Sequence, residues 1–375
     1  MYMNLPTLGQ PVYRSTSLWI IWATVLAIFP GTLVRAQAVR KHSGFDTVYV
    51  RDYSRRITAR VFSSTKYNAF VIASPTSPDL VYRPNNRINV GVGASYRALT
   101  LNIGFALAIF NNDNEVRGRT RFLDAQANIY NQRWATNLFL QVFGGYYISS
   151  HDLAQVGWTQ DTQRPYRADL VQFNFGASSL RILNDRRFSY RASFNQDAWQ
   201  RKSQGSFLLG GYMTYYNVRA DSSLVPTHLI GQFDAEARLR RGSFLDLGPM
   251  AGYAYTFVHR EHWFLTVSAA LGGGLSIQRV TRQAFEGEST LSGMGLGWHG
   301  QVRSGIGYNS AWNCVGLSFS QENIGYLVTD RGNFRWNVGN VRLNFAHRFN
   351  RRIQAADRGL RWFRKQVMEP IKTLP

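Results

Sequence analysis

From Trp263 to Ile277 the odd positions Trp263, Leu265, Val267, Ala269, Leu271, Leu275 and Ile277 are largely apolar. Thr266, Ser268, Ala270, Gly272, Gly274, Ser276 and Gln278 stand between them. Leu296, Trp298, Val302, Ile306 and Tyr308 alternate in the same way with Gly297, His299, Gln301, Arg303, Gly305, Gly307 and Asn309. A period of two belongs to a strand with two unlike faces, not to an amphipathic helix. The same alternation predicts strands over 88–96, 99–109, 123–129, 134–142, 171–177, 188–194, 245–257 and 315–319. Most of these runs approach the roughly 9–11 residues that a tilted strand needs to cross a bilayer.

The character of the two faces decides the architecture. One face is greasy and the other is built from glycine, small polar residues and arginine. Trp134, Trp263, Trp312, Trp336 and Phe349 mark strand ends as an interfacial aromatic girdle would. A soluble β-sandwich turns its greasy faces inward against each other. A closed antiparallel transmembrane β-barrel turns them outward, which leaves the small polar face to the lumen. The chain is therefore expected to be all-β and a barrel. Short connections near Ala98, Gln132, 184–186, Arg260 and Ser310 alternate with longer ones over 111–119, 149–167, 282–293 and 327–333. This alternation keeps phase if 57–73 and 229–240 each add a strand, which gives about 14 strands, with about 12 as the alternative, both even. Pro249, which has no N–H for the ladder, predicts a bulge or strand end. A phase change at Gly339-Asn340 predicts a second bulge. Strand 207–216 has no clear polar face and receives no orientation.

The first 38 residues change the picture by adding an export route. Arg14 precedes an apolar stretch from Leu18 to Phe29, Pro30-Gly31 breaks it, and Ala36-Gln37-Ala38 offers a cleavage site after Ala38, or after Ala36. The alternative is a retained anchor, but the uninterrupted apolar stretch is well below the roughly 20 residues that span a bilayer as a helix. Cys314 is the only cysteine, which excludes an intramolecular disulfide and an N-terminal lipid anchor. The expected organisation is a signal peptide (1–38), an N-terminal segment with a first strand (39–87), the barrel (88–349) and a basic tail (350–375). In the tail Ile353, Leu360, Phe363 and Val367 interleave with Arg351, Arg352, Arg358, Arg361, Arg364 and Lys365. That is the pattern of a short interfacial helix or, alternatively, of a solvated extension. The formal charge of +21 is spread along the chain, not clustered beside a recognition helix, which argues against nucleic acid. Outer-membrane lipid, anionic lipid head groups or an anionic solute, and a periplasmic or surface protein are the expected partners.

Arg60-Val61-Phe62-Ser63-Ser64, Tyr82-Arg83-Pro84-Asn85-Asn86 with Asn89-Val90-Gly91-Val92-Gly93, Leu101-Asn102-Ile103-Gly104-Phe105, and Gly252-Tyr253-Ala254-Tyr255-Thr256-Phe257 occur in an order and spacing that resembles the domain-of-unknown-function 4421 family. The resemblance covers almost all of the chain after the export segment. It implies an outer-membrane β-barrel of the kind known mainly from Bacteroidota and supplies no catalytic residue. His347-Arg348-Phe349 looks like a terminal barrel strand, yet 26 residues follow it.

Candidate chemistry is sparse. His259-Arg260-Glu261-His262 sets two histidines three apart in a tight turn, where they diverge and lack a third ligand. Ser149, Ser150, His151 and Asp152 hold triad residue types but lie adjacent on one loop, whereas a triad converges from separate segments. Gly272-Gly273-Gly274 is mid-strand and suits curvature, not a phosphate loop. No catalytic residue, metal ligand or cofactor is expected. The strand phases point Arg97, Arg191, His299, Arg303 and Arg342 into the lumen together with Asp124, Asp197 and Asp246. The functional expectation is a passive pore or solute-binding barrel. The alternatives are a non-conducting scaffold that binds through outer loops or tail and, more distantly, a membrane-embedded hydrolase.

Overall fold

The computed structural model describes residues 44–73, 79–85, 88–96, 99–106, 113–149, 164–233, 238–284, 287–327, 333–350 and 358. The export segment lies outside them, as does the tail apart from Asn350 and Arg358. The strands are β1 (Val50–Asp52), β2 (Ile57–Ile72), β3 (Leu80–Arg83), β4 (Ile88–Tyr96), β5 (Leu99–Ala106), β6 (Arg121–Tyr130), β7 (Trp134–Ile148), β8 (Tyr166–Ile182), β9 (Ala198–Gln200), β10 (Gln204–Arg219), β11 (Leu239–His259), β12 (Trp263–Ala284), β13 (Gly287–Asn309), β14 (Asn313–Leu327) and β15 (Asn333–Phe349). Two short helices, α1 (Asn114–Arg117) and α2 (Tyr190–Phe194), lie in connections.

Ten strands close a ring of antiparallel pairs in the order β2, β15, β14, β13, β12, β11, β10, β8, β7, β3 and back to β2. Closure on one side is the long pairing of β2 with β15, from Ile57 opposite Phe349 to Ile72 opposite Phe334. On the other side it is the small strand β3, which pairs with β2 over three residues and with β7 over two. Three further strands extend from the ring. β4 pairs with the first half of β2, β5 pairs with β4, and β6 pairs with β7. No ladder joins β5 to β6 among the described residues, so a seam runs between these two edges.

The wall has the inside-out pattern that the alternation requires. On β12 Trp263, Leu265, Val267, Leu271, Leu275 and Ile277 are exposed, while Thr266, Ser268, Ser276 and Gln278 are buried. On β13 Leu296, Val302 and Ile306 are exposed and His299, Gln301, Arg303 and Asn309 are buried. A contiguous apolar exterior is costly in water and favourable in hydrocarbon. At one end the connections are short: 131–133, 260–262 and 310–312. We call this the turn side and the opposite end the loop side. β11, β12 and β13, at 21, 22 and 23 residues, outrun a bilayer and form a tall rim on the loop side.

Several expectations are corrected by the geometry. Residues 188–194 are not a strand: Ser189 caps α2, its side chain accepting from the Ala192 N–H at 3.3 Å, and the alternation belongs to a buried insert with apolar residues on both sides. Region 229–240 is not a strand along its length: a 3₁₀ turn occupies Thr227–Gln232, and β11 begins at Leu239. In place of 14 strands, or 12, the structure has the ring of ten with β4, β5 and β6 attached. Pro249 ends nothing and makes no bulge: it lies opposite Gly211, and the β11–β12 ladder lapses at Gly248 and Pro249, then resumes in the same register. Gly339-Asn340 also lies in unbroken register with β14 and β2. Trp336 and Arg342 share the inward face, and the sequence changes character there because the interior does, from aromatic at the loop side to polar below. The same holds for β10, where Leu208, Tyr212 and Tyr216 point inward and Phe207 and Leu209 outward.

Candidate functional site: the occluded lumen

Three layers fill the barrel. On the turn side the connection between β8 and β10 folds into the mouth. Within it Arg191 forks onto Asp197, at 3.1 and 2.8 Å, and lies 3.6 Å from Asp52. Burial alone would lower the pKa of this guanidinium, but Asp197 and Asp52 raise it above its ordinary value. β1 pairs with β9, strapping the chain's first described residues to the insert. The insert is anchored to the wall through Tyr190 to Ser268 (3.0 Å) and Ser193 to Thr266 (2.5 Å). Two wall arginines finish the anchoring. Arg60 donates to the Asn195 carbonyl at 2.8 Å and to Ser95. Arg348 donates to the Gln196 carbonyl at 2.6 Å, the Ala198 carbonyl at 3.2 Å, Asn309 Oδ1 at 2.8 Å and the Ser310 carbonyl. Gln196 has φ of +60°, a left-handed turn that a non-glycine residue adopts only when its surroundings hold it there.

The middle layer is ionic. Glu322 accepts from Gln301 at 2.9 Å and Arg303 at 3.3 Å and lies 3.3 Å from His299 Nε2. Arg303 also donates to the Tyr130 hydroxyl, which donates to Asn137 Oδ1 at 2.8 Å. Asp246 faces Tyr212 at 3.5 Å, and the Tyr212 ring stands edge-on to His299. Gly272 leaves room for that ring, since a Cβ there would lie 2.6 Å from it. Asp124 is held by Lys66 at 2.6 Å and Gln141 at 3.0 Å, and Arg342 lies over the Phe62 ring. Glu322 with Arg303 and Asp124 with Lys66 are the paired charges of this layer, whereas Asp246 Oδ2 and the Nε atoms of Arg303 and Arg342 are buried without a hydrogen bond among the described residues.

The loop-side layer is aromatic. Phe70, Tyr216, Phe244, Phe334, Trp336 and Phe139 pack with ring centroids 5.5–6.1 Å apart. Leu224, Val225, Leu229 and Phe233 from the β10–β11 connection cover them. Trp336 Nε1 donates to Asn68 at 2.7 Å, so the indole is satisfied while its ring fills the bore.

His299, Arg303, Asp246 and Arg342 are thus wall residues of the middle layer, with Asp124 beside them on β6. Arg191 and Asp197 belong instead to the inserted segment, because α2 replaces the expected strand. Arg97 lies outside the described residues. Sequence reading missed Glu322, the hub of the ionic layer: it stands opposite Gln301 and diagonal to Arg303 and His299, a relation that only the β13–β14 register reveals. It also missed Arg60 and Arg348, whose roles depend on non-local carbonyls. In the His259–His262 turn, His262 Nδ1 contacts the Asn309 carbonyl at 2.8 Å and its ring stacks on Trp199 and Tyr308. Arg201 hydrogen-bonds Glu261 and holds its carboxyl below the usual range. Among the described residues no group of three metal-ligating side chains converges. His151 and Asp152 lie outside the described residues.

Among the described residues, two partly open cavities beside the ionic layer have volumes of about 30 and about 60 Å³. The smaller is lined by Lys66, Asn68, Asp124 and Gln141, and the larger by Gln126, Asn128, Arg303 and Glu322. Each holds a few waters at most.

A closed antiparallel barrel with an apolar exterior and an interior filled by polar groups in the middle and aromatic rings at the loop side defines this chain as a β-barrel of the membrane-spanning type. The chain belongs to the family described as domain of unknown function (DUF4421), whose model matches residues 45–349. No curated protein matches it. Among solved structures it is similar to the P. putida toluene transporter TodX, at 7% identity and a TM-score of 0.25, covering 79% of this chain and 91% of that one. It is also similar to a bacterial polysaccharide outer membrane secretin, at 11% identity and a TM-score of 0.30, covering 80% and 100%. A third is the outer membrane protein OprG from Pseudomonas aeruginosa, at 8% identity and a TM-score of 0.22, covering 80% and 99%.

Proposed function

We propose that the protein is an outer-membrane β-barrel that does not conduct in the described conformation, with its activity carried outside the bore, by the loops, the rim or the tail. The observation that supports this reading is closure in series: an anchored insert at the turn side, a packed ionic layer, and an aromatic plug at the loop side. A passive pore needs a continuous wet path, and the cavities beside the ionic layer hold a few waters. No catalytic role is proposed.

The second reading is a gated pore, favoured by the Arg60 and Arg348 contacts, which hold the insert through backbone carbonyls and not through carboxylates. The test is single-channel conductance of the refolded chain in a planar bilayer. Silence is expected from the intact protein. It is also expected from a variant in which a short linker replaces residues 184–202, and from one with Phe70, Phe334 and Trp336 changed to alanine. Steps are expected only when the insert and the aromatic plug are removed together and the ionic layer between them is opened by Arg303→Ala with Glu322→Ala. Stable steps from the intact protein, with ion preference inverted by Arg303→Glu, would replace this reading with the pore.

A further inference from the structure

The outward wall of the loop-side rim carries three arginines that make no ion pair among the described residues. Arg219 on β10 and Arg241 on β11 stand directly opposite each other, and Arg279 on β12 stands opposite Ser243, two residues further along β11. Residues opposite in an antiparallel ladder share a face. The row Tyr215–Leu245–Ile277–Met294 is outward, with Ile277 and Met294 strongly exposed. The next two rows up the wall, Asn217–Ser243–Arg279–Ser292 and Arg219–Arg241–Thr281–Thr290, share that face and are polar throughout. The change from greasy to basic therefore happens in one step of the ladder, roughly 7 Å.

A surface concavity of about 610 Å³ is lined by Asn217, Arg219, Arg241, Ser243, Arg279 and Thr281. Two acids reach its edge. Asp169 is committed to Arg167, at 2.7 and 2.8 Å, and also accepts the Asp221 N–H at 2.9 Å. Asp221 is the other acid in that lining, and the three arginines are exposed and make no ion pair among the described residues. Like charges directly opposite in a sheet repel, and the described chain offers too little to offset them.

We propose that this concavity binds the phosphate of a membrane lipid on the loop-side leaflet, its acyl chains lying against Tyr215, Leu245, Ile277 and Met294. The inference rests on the barrel's being membrane-embedded. Guanidinium forks match phosphate oxygens two at a time, and Asn217, Ser243 and Thr281 supply neutral hydrogen bonds beside them. The position is what selects a lipid over a free anion: charge sits immediately above an apolar surface, at the height of head groups.

The test uses the full chain purified in mild detergent and native mass spectrometry. The probes are dioleoylphosphatidic acid, dioleoylglycerol with the same chains and no phosphate, and inorganic phosphate. Retention of the phosphatidic acid over the diacylglycerol is expected, with a loss of roughly tenfold in the triple variant Arg219→Gln, Arg241→Gln, Arg279→Gln. Arg181→Gln, an exposed turn-side arginine over Trp134, should leave retention unchanged. Heat-modifiable gel mobility confirms that each variant is folded. Equal retention by the parent and the triple variant, or of the two lipids by the parent, would overturn the site. So would inorganic phosphate binding as tightly as the lipid. A chain that stays folded and monodisperse in water without detergent would defeat the barrel reading itself, a distinct failure.

Discussion

Nη2 of Arg348 lies 2.6 Å from the carbonyl oxygen of Gln196, so the last strand of the wall is tied to the segment that fills its own mouth. The same guanidinium serves three further acceptors, and its side chain is fully buried. Arg348→Ala is expected to destabilise the fold by about 3 kcal/mol, because hydrogen bonds to charged groups are the strong ones and the carbonyls left behind are buried. Arg348→Lys should recover only part of this, since an ammonium cannot fork. Urea unfolding in micelles, followed by tryptophan fluorescence, gives the comparison; an unchanged midpoint for the alanine variant would show that water serves the carbonyls instead.

Glu322 stands between Arg303 and His299, and removing it leaves a buried guanidinium without its acid. Glu322→Ala is expected to cost about 3–5 kcal/mol. The double change Glu322→Leu with Arg303→Met should cost less than the single one, because it removes both charges together. Denaturant unfolding of the single and double variants checks the sign; a double variant that costs as much as the single Glu322 change, or more, would refute the compensation.

Leu271 is 65% exposed at the middle of β12. If lipid covers it, Leu271→Arg costs about 2–4 kcal/mol in a bilayer. On a watery surface the same change would cost within about 0.5 kcal/mol. Folding titrations in lipid vesicles separate the two.

The seam predicts uneven amide exchange. β12 is laddered on both edges, whereas β5 and β6 each have one edge without a ladder among the described residues. Amides of β5 and β6 should exchange at least tenfold faster than those of β12, a difference of about 1.4 kcal/mol in opening free energy. Equal protection in lipid would mean that the two edges pair there.

How much of this was readable beforehand depended on how local the determining contacts are. The alternation of Trp263 to Ile277 and Leu296 to Asn309 was legible because lipid and lumen impose opposite demands on successive residues. Residues 188–194 alternated by coincidence, and only contacts with Ser268 and Thr266, far along the chain, reveal them as an insert. Trp336 read as a girdle residue and a phase break because an inward tryptophan is unexpected in a polar lumen; its partners, Phe139 and Tyr216, belong to distant strands. Of the ionic layer, strand phase singled out His299, Arg303 and Asp246 as candidates. Their pairing with Glu322 did not follow from it, since register between neighbouring strands carries no mark in either strand alone. β3 was invisible for the same reason: four residues are too few to show a period.

The pairing of β2 with β15 has a consequence for how the molecule is made. The first wall strand finds its partner in the last, Ile57 against Phe349. Hairpins such as β12–β13 can zip as soon as they emerge, but the ring waits for the whole chain, because that contact carries the greatest loop-closure cost. Until then β2 presents a sixteen-residue edge to any other chain. The hazardous species in the life of this protein is therefore the nearly complete one, and a chain truncated before Asn333 would be an aggregation seed and not a smaller barrel.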